Sequence, residues 1–346
     1  MGTNKKLDNK IRIGTFNLKN LALPKVDYYP DEHYSEEVYQ KKCAWTARQL
    51  DAMGADLVVL QEVFHKEALA HAISLSVAAS KAPPMRIFVP EDGSGPKVSL
   101  LTRYEVLACQ WIADIPGEVN EHFNVDGKPI SIDGKPIEKF SRPVLRARVQ
   151  FPEIGEGIVY GTHLKSKSPD ETEGMVGDLK NPIGQARSLI RRAVEAAGLR
   201  CLLLRDLAPP ACPAPAATPP VILCGDCNDD TIAVTTRILC GERPAPWMSG
   251  AEAVNAYAKL MHSALELHSS RSLYSAYYTY IHGGLYEALD HIFLSDHFSP
   301  SNKRRLGDVE YVRFLTDHLV DELFYRDSLP KDQSDHGQVV VTIKPT

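Results

Sequence analysis

The stretch VILCGDCNDD, Val221 to Asp230, offers three different chemistries. Cys224 and Cys227 have the spacing of a redox or zinc pair. Asp226, Asn228 and Asp230 match the first three ligand positions of a calcium loop. The apolar run VILC can also be a buried strand that lifts one carboxylate and one amide into a cleft. A structural zinc site needs a second ligand pair, and Cys43, Cys109, Cys201, Cys212 and Cys240 supply no second close pair. A thioredoxin-type pair opens a helix, whereas Cys224 closes an apolar run. A calcium loop needs Gly at its sixth position and Glu at its twelfth. Counted from Asp226, those positions hold Thr231 and Arg237. The strand reading is the one that survives, with both cysteines packed and incidental.

The same pattern recurs along the chain. KIRIGTFNL reads as a strand that finishes near Asn17, and ADLVVLQEV finishes at Gln61 and Glu62. VYGTHLKSK reaches His163, with Lys165 and Lys167 just beyond. ALDHIF carries Asp290 and His291, and Ser334-Asp335-His336 precedes GQVVVTI. A single Glu after an apolar strand is ordinarily a solvated end. A whole set of ends carrying carboxylate, amide or imidazole groups is a site. Carboxylates and amide oxygens without a thiolate pattern suit Mg²⁺ or Mn²⁺. Histidines and lysines beside them suit a phosphate and its developing charge. Together they point to hydrolysis of a phosphoryl ester.

The elements that must position this set can also be read. A chain of 346 residues fits one large α/β domain or two. Apolar content of 44% allows a sizeable core, and a net charge of −5 argues against a general polyanion binder while leaving room for a local basic patch. MGTNKKLDNK has no apolar export signal, and no run approaches the ~18 apolar residues of a membrane span. The cysteines therefore read as reduced thiols in a cytoplasmic protein. Spacing predicts helices over 35–54, 66–80, 181–207 with Pro182 near its start, and 251–267. MRIFV, KVSLLTR, GIVYGTHL, DVEYVRFL and GQVVVTI read as further strands, and two D-G-K-P turns within 125–151 suggest antiparallel ribbons. The Pro/Ala-rich segment 207–220 reads as a stiff surface loop within a single domain, 1–346, because the polar strand ends on both sides of it form one set.

TFNLKN, LVVLQEV, LLTRY, GTHLKSK, ILCGDCND, LDHIF and SDHGQVVV occur in the order seen in the endonuclease/exonuclease/phosphatase superfamily. The resemblance spans roughly residues 11–343. HLKSK followed by Gln185-Ala-Arg187 looks most like the bacterial nuclease-like branch, the second part approximately. The resemblance implies an α/β, deoxyribonuclease-I-like fold: a four-layer α-β-β-α sandwich of two packed, mixed, largely antiparallel sheets. It implies one Mg²⁺ or Mn²⁺ ion held by Glu62, with Asn17 orienting the metal or phosphate and Asp335 nearby. Asp226 would position and deprotonate the attacking water, and Asn228 would hold a phosphate oxygen. His336 would pair with Asp290, and His163 would donate to the scissile phosphate or the leaving group. Arg103 and Lys165 would support the phosphate.

Of the two Ser-Asp-His triplets, Ser334-Asp335-His336 fits the family because it directly precedes the terminal strand; Ser295-Asp296-His297 fits an ordinary turn. His291 reads as a neighbour of the site. Lys19 stands where some relatives have a carboxylate near a second metal, which favours a single ion. Glu91 and Glu118 are candidates for the acidic partner of His163. The implied function is a metal-dependent nuclease acting on DNA, with RNA as a further substrate. It would be a monomer, with Arg187, Arg191 and Arg192 as a basic helix face for nucleic acid. The alternative is a phosphodiesterase or phosphatase for a small or lipid-linked ester, which an exposed apolar hairpin would favour. A catalytically silent scaffold would lack residues that are all present here.

Overall fold

The computed structural model describes residues 10–91, 95–122, 128–170, 177–208, 218–244, 248, 250–269, 277–282, 285–320 and 330–346. In chain order the first half comprises β1 (Ile11–Leu21), α1 (Glu36–Met53), β2 (Leu57–Val63), α2 (Lys66–Ser74), α3 (Val77–Ser80), β3 (Arg86–Phe88), β4 (Lys97–Thr102), β5 (Glu105–Asp114), α4 (Gly117–His122), β6 (Ser131–Ile132), β7 (Lys135–Pro136), β8 (Lys139–Phe151) and β9 (Gly155–His163). The second half comprises α5 (Lys180–Leu207), β10 (Val221–Asp226), α6 (Val234–Cys240), α7 (Gly250–Tyr257), β11 (Met261–Ser263), α8 (Ala264–Ser269), β12 (Tyr280–His282), β13 (Leu285–Glu287), β14 (Asp290–Ser295), β15 (Gly307–Leu315) and β16 (Gln338–Pro345). No helix among the described residues is long and apolar enough to cross a membrane.

Two six-stranded sheets dominate, in the orders β15-β16-β1-β2-β4-β3 and β11-β14-β10-β9-β8-β5. Each has one parallel pair at its centre, β1 with β2 and β10 with β9, and antiparallel neighbours outside it. Central strands are covered on both faces, so LVVL and VILC are apolar throughout rather than alternating. Ile13, Val59, Val98, Leu145, Val159, Ile222 and Val341 fill the space between the sheets. The outer face of the first sheet packs Phe16, Val58 and Leu60 against Trp45, Leu50 and Leu69 of α1 and α2. The outer face of the second packs Tyr160 and Leu223 against Leu199 and Leu203 of α5. This is the four-layer α-β-β-α arrangement. The sheets approach closely at Gly161, where an added Cβ would lie within 3.0 Å of Val59, Val98 and Leu145.

Three expectations change. The helix expected over 66–80 breaks at Leu75-Ser76: Ser76 caps α3, and the Asp51 carboxylate accepts from Ser76 Oγ at 2.6 Å and Ala78 N at 2.7 Å. Those caps stabilise a second helix start more than continuation would. The helix expected over 251–267 becomes α7, edge strand β11 and α8, because Met261–Ser263 pairs with β14. β5 was not expected. It is an edge strand with no buried residue, so it lacks clean alternation. The second D-G-K-P turn joins β6 to β7 with Asp133 and Gly134 left-handed, as a two-residue hairpin requires. The first turn and residues 209–217 of the Pro/Ala-rich loop lie outside the described residues.

Candidate active site

The sheet pattern brings distant residues to one rim. β1, β2, β9 and β10 all finish there. β14 and β16 run antiparallel to β10 and β1, so they begin there. Asp226 pairs in register with His163 on one side and Asp290 on the other. Both β1 and β2 lose regular register just before the rim, between Asn17 and Leu21 and between Leu60 and Val63. Such bulges re-aim side chains. Lys19, Asn20, Glu62 and Asn228 have φ of 49°, 59°, 59° and 52°. Left-handed Lys and Glu are strained, and such strain concentrates at functional sites.

Asn17 joins the two sheets. Its Nδ2 donates to Glu62 Oε1 at 3.2 Å and to Asp226 Oδ2 at 3.0 Å. Lys19 N donates to Asn17 Oδ1 at 3.0 Å, and Asn20 N to Glu62 Oε2 at 2.9 Å. His163 Nε2 lies 3.5 Å from Asp226 Oδ2 and 3.9 Å from Glu62 Oε1. His336 Nδ1 is 2.8 Å from Asp290 Oδ2, and its Nε2 is 3.7 Å from Asp226 Oδ2. Ser334 pins this turn: its Oγ donates to Asn17 O at 2.6 Å and accepts from His336 N at 3.0 Å. Asn228 N donates to Asp226 Oδ1 at 2.9 Å, and Asn228 Nδ2 to Leu164 O at 3.0 Å. Asp226, His163 and His336 are 1%, 3% and 7% exposed at the floor of a cleft of about 760 Å³, with Asp290, 1% exposed, behind His336.

The two histidines are held in opposite states. Burial alone would lower His336, but the Asp290 and Asp226 carboxylates outweigh it and lift its pKa well above the usual value. Burial, then the nearby Arg142 and His336 charges, push His163 well below it. These shifts favour the charged form of His336 and the neutral form of His163. Burial pushes Asp226 up to about 6, with His336 offsetting part of the rise. Burial also raises Glu62, against His336, with the Asp335 charge adding to the rise.

Buried acids crowded at the floor of a cleft are the setting a hard divalent cation relieves. One ligand atom each from Asp226, Asp290 and His336 lie within 4.8 Å of one another, a spacing a metal could use. A protonated His336 with Nδ1 engaged by Asp290 makes a poor ligand. A second candidate donor is Glu62, whose Oε1 and the Asp226 Oδ2 both accept from Asn17 Nδ2. Asp335 lines the cleft but is 3.0 Å from Lys19 Nζ. Burial works against its charged form, yet His336 and Lys19 hold its pKa below the usual range.

Two phosphate-binding expectations are corrected. Arg103 sits at the far end of β2: its N donates to Asp56 O, its Nε is 3.0 Å from Asp56 Oδ1, and its other nitrogens bind the carbonyls of Ala78, Lys81 and Pro83. Asp56 precedes β2 and Glu62 ends it, a separation of about 20 Å. Arg103→Met is therefore expected to leave kcat/KM within about twofold while costing about 1–3 kcal/mol in urea denaturation, because Asp56 loses the nearer of its two arginines and three carbonyls lose a donor. Lys165 turns its ammonium back onto Ser166 Oγ and Ser168 O, at 3.3 and 3.2 Å; Lys167 lines the cleft instead.

The basic face of α5 is likewise not free. Arg187 is paired with Asp133, Arg191 lies 3.8 Å from Asp170, and Arg192 lies 3.0 Å from Asp229. Glu118 pairs with Arg205, and Glu91 does not line the cleft, so neither partners His163. His291 is a buried neighbour of the site, 2.8 Å from Asp229 O. Cys224 and Cys227 are both buried. Arg142 was missed: it lines the cleft, and its Nη1 lies 3.4 Å from Leu164 O. Its signal, an Arg at the start of β8 beside Pro143, is too weak to single out. Tyr29, Tyr280 and His282 also line the cleft, and only the fold brings them there.

The fold has solved relatives. A humanized D. rerio TDP2 with 14 mutations matches with TM-score 0.54 and 15% identity, over 97% of this chain and 99% of that one. D. rerio TDP2 complexed with a single strand DNA product matches with TM-score 0.51 and 14% identity, over 97% and 100%. A mannosyl-6-phosphatase from Bacteroides thetaiotaomicron VPI-5482 matches with TM-score 0.56 and 15% identity, over 96% and 99%. At these identities the likeness establishes the fold. No curated protein sequence matches the chain. The profile of the Endonuclease/Exonuclease/phosphatase family matches residues 41–336, from within α1 to His336 itself, and the chain belongs to that family, whose members hydrolyse phosphate esters.

Proposed function

We propose that the chain is a divalent-metal-dependent phosphodiester hydrolase, a nuclease acting on DNA with RNA as a further substrate, through attack of water on phosphorus. The observation that carries this reading is Asn17 bound to both Glu62 and Asp226, beside a neutral His163 and the His336–Asp290 pair. Asp226 accepts the proton of the attacking water. Asn228 binds a phosphate oxygen. His336 presents Nε2–H toward the charge that develops on the phosphate, with Asp290 fixing the ring. His163 donates from Nε2 to the phosphate or leaving oxygen. Glu62 would hold Mg²⁺ or Mn²⁺, with Asn17 orienting its carboxylate, and the ion when bound neutralises charge on non-bridging oxygens. Arg142 gives the cleft a cation for a phosphate chain, whereas Lys19 and Lys167 already pair with Asp335 and Glu287.

The reading extends to one domain, supported by a continuous core between the two sheets, and to a monomer. It also extends to a single ion, because Lys19 already engages Asp335. Mn²⁺ titration by calorimetry is expected to give one site per chain. Two sites in the wild-type protein would contradict the role given to Lys19.

A second reading, a small or lipid-linked phosphate ester, is favoured by the β12–β13 hairpin. It exposes Leu285 and Tyr286, 66% and 52% accessible, and Leu285 lines the cleft. Hydrolysis of oligonucleotides and of small phosphodiesters and monoesters across a salt series separates the readings. A nuclease is expected to prefer oligonucleotides and to lose affinity steeply between 50 and 200 mM salt. Cleavage of monoesters alone, or salt-insensitive cleavage, would overturn it.

A further inference from the structure

One face of α5 carries a polar stripe that is buried: Ser188, Arg192 and Glu195 are 1%, 4% and 0% exposed. The spacing i, i+4, i+7 puts them on one side of the helix. That side meets the loops beyond β9 and β10 and the start of β8. Glu195 Oε2 accepts from Lys165 N at 2.7 Å, and Glu195 Oε1 accepts from Ser141 N at 2.8 Å and from Ser141 Oγ. Arg192 Nη1 donates to the carbonyls of Lys165 and Ser166 at 3.1 and 3.3 Å, while its Nε reaches Asp229 Oδ2 at 3.0 Å. Ser188 Oγ donates to Ser168 O at 2.6 Å.

Every residue so held adjoins one that faces the cleft. Asp229 follows Asn228, Ser141 precedes Arg142, and Lys165 precedes Ser166. The Leu164 carbonyl receives both Asn228 Nδ2 at 3.0 Å and Arg142 Nη1 at 3.4 Å. A buried ion pair gives little net stability over a well-packed apolar replacement. A forked guanidinium does give fixed geometry at several acceptors at once. We propose that Arg192 and Glu195 are positioning residues for the reaction: they clamp the 164–166 loop to the 228–230 loop and to the start of β8, and so fix Asn228 and Arg142 on the Leu164 carbonyl.

The proposal rests on the phosphodiesterase reading of the cleft for its kinetics but not for its structural arm. Arg192→Met is expected to lower kcat by ~10²-fold, the scale of a small misplacement of reacting groups, with KM within about threefold and an unchanged salt slope. Arg192→Lys is expected to fall close to Arg192→Met, since an ammonium cannot reproduce the fork. Glu195→Gln is expected to show the same kcat loss, because an amide offers a donor where two backbone N–H groups need acceptors. Hydrogen exchange at Lys165 and residues 228–230 is expected to quicken together by at least about tenfold in Arg192→Met.

Unchanged exchange or unchanged kcat would overturn the proposal. A raised KM with a shallower salt slope would also overturn it, by making Arg192 a substrate contact. If Arg192→Met does not fold, Asp229→Asn removes the acid end of the clamp and carries the same expectations. A wild-type protein that cleaves no phosphodiester would sink the functional reading, while the exchange result would still decide the clamp.

Discussion

Asp226→Asn is expected to lower phosphodiester hydrolysis by about 10²–10⁴-fold while the protein stays folded. The carboxylate lies at the centre of the site. It accepts from Asn17 and from Asn228 N, and it lies within 4 Å of both histidines. An asparagine keeps the shape but cannot take a proton from water. The same substitution is expected to stabilise the metal-free protein at neutral pH. Burial raises Asp226 to about 6 in the folded state, against ~3.9 in an unfolded chain. Between these values the folded state binds more protons, so this carboxylate makes wild-type stability fall as pH rises through that window. The variant lacks that loss. Its advantage in chemical denaturation is expected to be on the order of 2–3 kcal/mol at pH 7 and to vanish near pH 4. The wild-type rate is expected to decline on the acid side as the Asp226 base becomes protonated, at a pH lowered by the bound cation.

His336→Ala is expected to be costly twice over. Activity falls by about 10²–10⁴-fold, because a positioned imidazolium leaves the phosphate side of the cleft. Stability falls by about 3–5 kcal/mol, because Asp290 is left buried and charged without its partner; its carboxylate is 1% exposed. The sign of the pH dependence follows from the raised His336 pKa. The pair's contribution is fully present below the ordinary histidine value and is lost as pH rises through the higher folded value. Adding Asp290→Asn to His336→Ala removes the stranded charge and is expected to restore much of the stability and none of the activity. Urea denaturation and kinetics on the four proteins of that cycle separate the two effects. Equal instability of the single and double variants would contradict the pairing.

Much of this site was legible because strand ends announce themselves. LVVLQE, VILCGD and GTHL each run from apolar to polar where a central strand leaves the core, and the order of the motifs placed Asn17, Glu62, His163, Asp226, Asn228, Asp290 and His336 together. Arg103 and Lys165 could not be placed from sequence, because a strand says nothing about which end a flanking cation folds toward. Arg103 follows β4, which runs opposite to β2, and so lands at the wrong rim. Arg187, Arg191 and Arg192 looked like a solvent-facing basic stripe because their acidic partners Asp133, Asp170 and Asp229 are distant in sequence. Edge strands such as β5 and β11 carry little periodicity, and only pairing reveals them. Arg142 and Tyr280 reach the cleft through register and hairpin placement, which no local pattern encodes.

The most direct measurement is hydrolysis of bis-p-nitrophenyl phosphate by the wild-type protein and Asp226→Asn, with Mg²⁺, with Mn²⁺ and with EDTA. The expected result is turnover by the wild type with either ion, none in EDTA, recovery when the ion is restored, and a variant that folds but turns over at least about 10²-fold more slowly. Undiminished wild-type turnover in EDTA, or an Asp226→Asn protein as active as the wild type, would contradict a metal-dependent site built around that carboxylate.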